Sequence, residues 1–181
     1  MPRKGHDLLL ESWLKLAKSF PDAHLVIVGP RADLHDPKLA EFGKRIESLV
    51  KASGASDHIH FVGMAQDVEE YLRLADIFVL ASKREGFPNS VLEAMATGLP
   101  VVVTPFLGRS RRMGRPDEHY LLADRSPEAL AASVAKLLGS HELRRTIGES
   151  GLRLARETFD LEQTLDRYVD LYRELAAAQR R

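Results

Sequence analysis

"SKREGFPNSVLEAMATGLPVVVT", residues 82–104, runs from a charged start into three successive valines. Its middle predicts a helix over 88–97, with Pro88 or Asn89 at its opening. Gly98-Leu99-Pro100 then turns the chain, and the valines predict a strand over 101–104 that looks buried. Two carboxylates, Glu85 and Glu93, lie eight positions apart around the helix start.

Working outward, the same alternation recurs. Short apolar runs predict strands over 25–29, 58–62, 77–81 and 120–123. The first of these, Leu25-Val26-Ile27-Val28, reads as covered on both faces, as in a parallel sheet. Between the strands lie helical stripes. Leu9, Trp13, Leu16, Ala17 and Phe20 repeat at helical spacing after Gly5, with Pro21 as the stop. Asp36-Pro37 reads as a cap with proline at the first helical position, followed by Leu39, Phe42, Ile46 and Leu49, with Gly54 at the end. Val68, Tyr71, Leu72 and Ala75 share one face of a short helix. Beyond residue 125 the chain is helical. Ser126-Pro127 and Ser140 are helix starts, and Asp160 with Gln163 has the spacing of a capping box. The last stripe, Leu161, Leu165, Tyr168, Tyr172 and Leu175, covers about four turns. Strand–helix alternation with short connections predicts an α/β fold, a Rossmann-like three-layer sandwich with a central parallel sheet and extra C-terminal helices.

At 181 residues the chain fits one large domain or two very small ones. Folding would bury roughly 70% of the surface that the extended chain exposes. The 26 basic and 26 acidic residues balance, which gives no indication of a nucleic acid or anionic membrane as main partner. Without cysteine, disulfides and thiolate metal sites are excluded. No apolar run approaches the ~20 residues of a membrane span, and the first residues lack a signal-peptide stretch. The expectation is a soluble cytoplasmic domain, with a place at the inner membrane face left open for a full-length enzyme.

In an open α/β sheet, ligands bind beyond the carboxyl ends of the strands. Glu85 follows the strand at 77–81 and falls on that edge. Gly86 lets a ligand approach the main chain closely. The amides of Phe87, Asn89 and Ser90 would face out of a helix N-terminus, an anion site suited to a diphosphate. Glu93, about one turn further in, could accept hydrogen bonds from a ribose diol. Either acid could instead simply complement the helix dipole, at ~0.3–1 kcal/mol.

The spacing Glu85, seven residues, Glu93, then Ala94-Met95-Ala96-Thr97-Gly98-Leu99-Pro100-Val101-Val102, resembles the acidic motif of family 4 retaining glycosyltransferases. That group has the two-domain GT-B fold and includes mannosyltransferases, sucrose synthases and glycogen synthases. Lys4-Gly5-His6-Asp7-Leu8-Leu9, Leu25-Val26-Ile27-Val28-Gly29, Phe61-Val62-Gly63 and Leu74-Ala75-Asp76-Ile77-Phe78-Val79 resemble further family segments, in the right order. The resemblance implies that Glu93 holds the ribose of a nucleotide-diphosphate sugar. Glu85 and the backbone after it would face the donor sugar and diphosphate. Lys4 would neutralise charge on the departing nucleotide, with no metal or other cofactor, and Gly63 and Met64 would meet the base. The implied reaction moves a sugar to an acceptor hydroxyl with the anomeric configuration kept.

The resemblance covers only the second half of such an enzyme. Residues 1–181 are therefore expected to form a single donor-binding domain, an excised or partial gene product without the acceptor-binding N-terminal half. An acceptor sugar or lipid-linked sugar would be met only through that half. The family's arginine six residues before the lysine has no counterpart. Such a chain should bind nucleotide sugar weakly and not turn over alone. Its last helix should keep an exposed stripe, open to a second copy. The 105–118 stretch also departs from the family, placing Arg109, Arg111, Arg112 and Arg115 after Gly108, and reads as a mobile basic loop. Lys83 and Arg84 read as solvated charges or phosphate helpers. His58 and His60 alternate on one strand, a surface pair rather than a metal pair without a third ligand. Gly29-Pro30-Arg31 lacks the further glycines of a dinucleotide loop. Two other readings stay open: half of a sugar-nucleotide epimerase, and a non-catalytic nucleotide-sugar or partner-binding module.

Overall fold

In the computed structural model of the chain, residues 2–30, 37–52, 54 and 56–178 are described. Among the described residues five strands alternate with helices. They are β1 (Leu25–Val28), β2 (Ile59–Gly63), β3 (Phe78–Leu80), β4 (Val101–Val103) and β5 (Leu121–Leu122). The helices are α1 (His6–Leu16), α2 (Pro37–Ala52), α3 (Val68–Leu74), α4 (Asn89–Ala96), α5 (Pro127–Leu138), α6 (His141–Phe159) and α7 (Leu161–Ala178). All strand pairings are parallel, in two hydrogen-bonded sets, β1-β2 and β3-β4-β5.

The valines of β4 explain the layering. Val101, Val102 and Val103 are fully buried. Alternation along a strand sends successive side chains to opposite faces. Val101 and Val103 accordingly join Val91, Ala94, Met95 and Tyr120 on the side of α4 and α6. Val102 joins Leu8, Leu16, Leu130 and Leu137 of α1 and α5 on the other. Each such valine contributes about 1.5–3 kcal/mol of burial. A third cluster, Leu10, Trp13, Ile27, Ile46 and Ile59, packs α1 and α2 on β1 and β2. This is the expected Rossmann-like sandwich, with α6 and α7 added at the carboxyl end.

The turn that opens β4 is a helix stop. Gly98, at φ 80°, bonds through its amide to Met95 O (2.9 Å), and the Leu99 amide bonds to Ala94 O (3.0 Å). That pair of bonds is the Schellman arrangement, which needs a left-handed residue where Gly98 stands. Ser126, Ser140 and Asp160 cap their helices, accepting from the amides of Ala129, Leu143 and Gln163 at 3.1, 3.1 and 2.9 Å.

Several expectations are corrected. β1 is covered on one face only: Ile27 is buried against α1 and α2, while Val26 is 47% exposed. α1 ends at Leu16, before Phe20, which follows in a turn bonded back to Leu16 O. His58 lies in a 3-10 turn, Ser56–His58, and not on β2. The 105–118 stretch is anchored rather than loose: Phe106 and Met113 are buried, and Arg109 donates to Tyr120 Oη at 2.8 Å. The expected cap Asp36, and Arg31, lie outside the described residues. On α7, seven large apolar side chains from Leu161 to Leu175 remain 44–69% exposed, as the last stripe predicts.

Candidate functional site

β3 ends at Leu80, and the chain continues along the carboxyl edge to α4. Two glycines bring other segments against this run. Gly5, at φ 72°, sits so close that a Cβ there would stand 2.0 Å from Ala81 O. Gly108, at φ 94°, is equally tight on Glu85 O. No L side chain fits either place. Backbone bonds complete the frame: Lys83 N to Arg3 O (2.8 Å), Leu107 N to Lys83 O (3.1 Å) and Glu85 N to Leu107 O (3.0 Å).

The frame brings Lys4 and Glu85 together, with Nζ donating to Oε1 at 2.8 Å. The Glu85 side chain is only 11% exposed. Burial alone would raise its carboxyl, but the hydrogen bond from Lys4 and the charges of Lys4 and Arg3 outweigh it. The group is held below the usual carboxylate range. His6, the next ring along, is pushed down to about 4, by burial first and then by the amino-terminal charge, with Asp7 opposing and Lys4 adding.

Beyond Glu85 the main chain is open. A Cβ on Gly86 would meet nothing within 4 Å. α4 starts after Pro88 with no side-chain cap. Among the described residues the amides of Phe87 and Ser90 find no acceptor. The Asn89 amide, expected to be free, instead bonds to Phe87 O at 2.9 Å, because the entry to α4 folds back on itself. Phe87 is half exposed, with its ring edge-on to Phe159 at 5.8 Å. Glu93 is exposed on α4. Gly63 closes β2 at φ 80°, its carbonyl accepting from Gly29 N at 2.7 Å, and Met64 beyond it is 78% exposed. These two lie at the end of a strand of the other hydrogen-bonded set and, among the described residues, make no hydrogen bond with 85–90.

The corner is a surface shelf. A cavity of about 260 Å³ lies elsewhere, lined by Trp13, Phe20, Pro21, Asp57 and His58 before the amino ends of β1 and β2. The open amides of Phe87 and Ser90 and the Lys4–Glu85 pair lie on the shelf and not in that cavity. His58 and His60 do meet, around His24: His24 stacks on His58 at 4.5 Å, and its Nδ1 lies 3.0 Å from His60 Nε2. Among the described residues no group of three or more His, Cys, Asp or Glu is arranged to hold a metal. Nor is any described helix long and apolar enough to cross a membrane.

Sequence reasoning missed Arg125. Its Nη1 donates to Ala81 O (2.9 Å), Ser82 O (2.9 Å) and Thr104 Oγ1 (3.0 Å), directly beneath the shelf. The only available signal was a basic residue just past the carboxyl end of a strand.

A parallel α/β sandwich with added C-terminal helices is the architecture of one half of a GT-B fold. The family profile described as Glycosyl transferases group 1 matches residues 1–153, and the chain belongs to that family. A curated relative described as an uncharacterized glycosyltransferase, from Haemophilus influenzae, is 30% identical over 91% of this chain and 44% of its own length. Sucrose-phosphate synthase from Thermosynechococcus elongatus superposes with a TM-score of 0.83 at 30% identity, over 98% of this chain and 44% of that one. The C-terminal domain of LpcC, a glycosyl transferase group 1 protein from Francisella tularensis, gives 0.80 at 28% identity, over 89% of this chain and 82% of that one. The chain thus spans less than half the length of the first curated relatives it matches, at 44%, 42% and 35%.

Proposed function

We propose that this chain is the donor-binding domain of a glycosyltransferase that moves a sugar from a nucleotide-diphosphate sugar to an acceptor hydroxyl with the anomeric configuration kept. The observation that carries the reading is the Lys4–Glu85 pair at 2.8 Å, set beside the open amides of Phe87 and Ser90 on the carboxyl edge. Amides at a helix start bind anions, and an ammonium beside them adds charge where a departing diphosphate develops it. Lys4 serves that charge, and Glu85 holds Lys4 in place and faces the donor sugar. Exposed Glu93 takes the ribose hydroxyls, and Gly63 and Met64 pass the base. Family membership and the superposition on a C-terminal transferase domain support this assignment.

In the same reading the acceptor is met by a separate domain, so residues 1–181 bind donor without turnover. Calorimetric titration of the purified chain with uridine, guanosine and adenosine diphosphates tests it. Saturable binding of at least one, weakened in Glu93→Ala, is expected. No binding of any, or sugar transfer by this chain alone, contradicts the corresponding half of the proposal.

A further inference from the structure

The Lys4–Glu85 pair joins two short segments that lie outside the sheet and the long helices and are held by a few backbone bonds, Lys83 N to Arg3 O and Glu85 N to Leu107 O among them. Glu85 belongs to an irregular run after β3, and Lys4 to a single 3-10 turn, Pro2–Lys4. The last ladder bond of β3 is Thr104 N to Leu80 O, at 3.1 Å. Past it, the carbonyls of Ala81 and Ser82 have left the sheet while both residues remain buried. Buried carbonyls need donors, and an unpaired one costs most of its desolvation. Here one guanidinium nitrogen of Arg125 serves both, and the Thr104 hydroxyl beyond β4 as well. Ala81 O is also the atom on which Gly5 rests. Arg125 and Gly5 therefore bear on the same carbonyl, one residue from Lys4 and four from Glu85.

We propose that Arg125 is a positioning residue for the site: by clamping Ala81 and Ser82 to Thr104 it sets the separation at which Lys4 meets Glu85. Arg125 has no bond to either partner, so it acts through the backbone alone. The planar guanidinium reaches all three acceptors from one side chain, whereas a lysine ammonium ends short of the Nη1 position. Without the clamp the 81–85 run drifts from Gly5, and Glu85 loses its closest positive neighbour. The role in donor binding rests on the function proposed above; the clamp itself does not.

The test follows the Glu85 carboxyl by NMR through an acid titration of the ligand-free chain, in wild type, Arg125→Met and Arg125→Lys. Wild type should titrate below the ordinary 4.5. Arg125→Met should move the midpoint upward, and Arg125→Lys by less. A merely structural arginine would lower the melting temperature and leave the Glu85 midpoint where it was, which overturns the proposal. Should Arg125→Met not fold, Arg125→Lys decides alone, and an unmoved midpoint there is equally fatal. Nucleoside-diphosphate affinity, measured in parallel, should fall several-fold in the variants. A chain that binds no nucleotide but still shows the Glu85 shift keeps the clamp and refutes the donor reading.

Discussion

Lys4 Nζ lies 2.8 Å from Glu85 Oε1 across 81 residues of chain. The ammonium is partly open to solvent, and the carboxylate is nearly covered. That asymmetry matters more than the pair's net worth. An exposed pair contributes little, but removing the partner of a covered charge leaves it uncompensated.

Lys4→Met should therefore destabilise the chain at neutral pH, by ~1–3 kcal/mol for an abandoned charged acceptor. The effect fades in acid. The folded carboxyl lies below the unfolded 4.5, so its contribution is full above 4.5 and is lost as pH falls through the folded value. Urea unfolding at a series of pH values should show the wild-type advantage in full at pH 7 and shrinking as the pH is taken down below 4.5.

Glu93→Ala removes an exposed side chain from α4 and should leave stability almost unchanged. Under the proposed ribose role, nucleotide affinity should weaken by about 1.5–3 kcal/mol, the range for hydrogen bonds to a charged group. Calorimetry with a 2′,3′-dideoxy nucleotide supplies the control. Wild type and variant should bind that ligand equally; an undiminished affinity for the ribose form would remove Glu93 from the site.

Gly5→Ala attacks the same site through the backbone. An alanine must hold φ 72° and place its Cβ 2.0 Å from Ala81 O. Left-handed strain alone costs about 1–3 kcal/mol at a non-glycine residue. The clash adds to it and pushes Lys4 away from Glu85. A lowered melting temperature together with weakened nucleotide binding is expected. Gly86→Ala, where a Cβ meets nothing, should leave melting nearly unaltered.

His6 gives a second pH dependence. Its folded value is lowered to about 4 from an ordinary 6.5. The unfolded chain then binds the proton first as pH falls. Stability from this group is full above 6.5, declines between 6.5 and about 4, and is flat below. Unfolding free energies across that window should slope in wild type and lose most of the slope in His6→Gln.

The fold was readable where the local signal was strong. Gly98 after a helical run, then three valines, specified a helix stop and a buried strand, and both are found. Lys4 and Glu85 were each picked out separately, and the structure supplies their contact. A short apolar run does not say which face is covered, so β1 was read as covered on both faces while Val26 stands open. The Asn89 amide is taken up by Phe87 O, two residues back, a fold of the main chain with no residue-type signature. Arg125 reaches carbonyls more than 40 residues away, and such a bond has no periodicity to read. The basic stretch at 105–118 read as mobile because its exposed arginines outnumber the two apolar anchors, Phe106 and Met113, that hold it.

The most direct test of the central claim is an amide NMR titration of the labelled chain with the tightest-binding nucleoside diphosphate. The account predicts that the largest shifts fall on Gly86, Phe87 and Ser90, with Lys4 and Glu93 moving at the same ligand concentrations. Shifts confined to the Trp13–His58 cavity at the other end of the strands, with residues 85–93 unmoved, would contradict it.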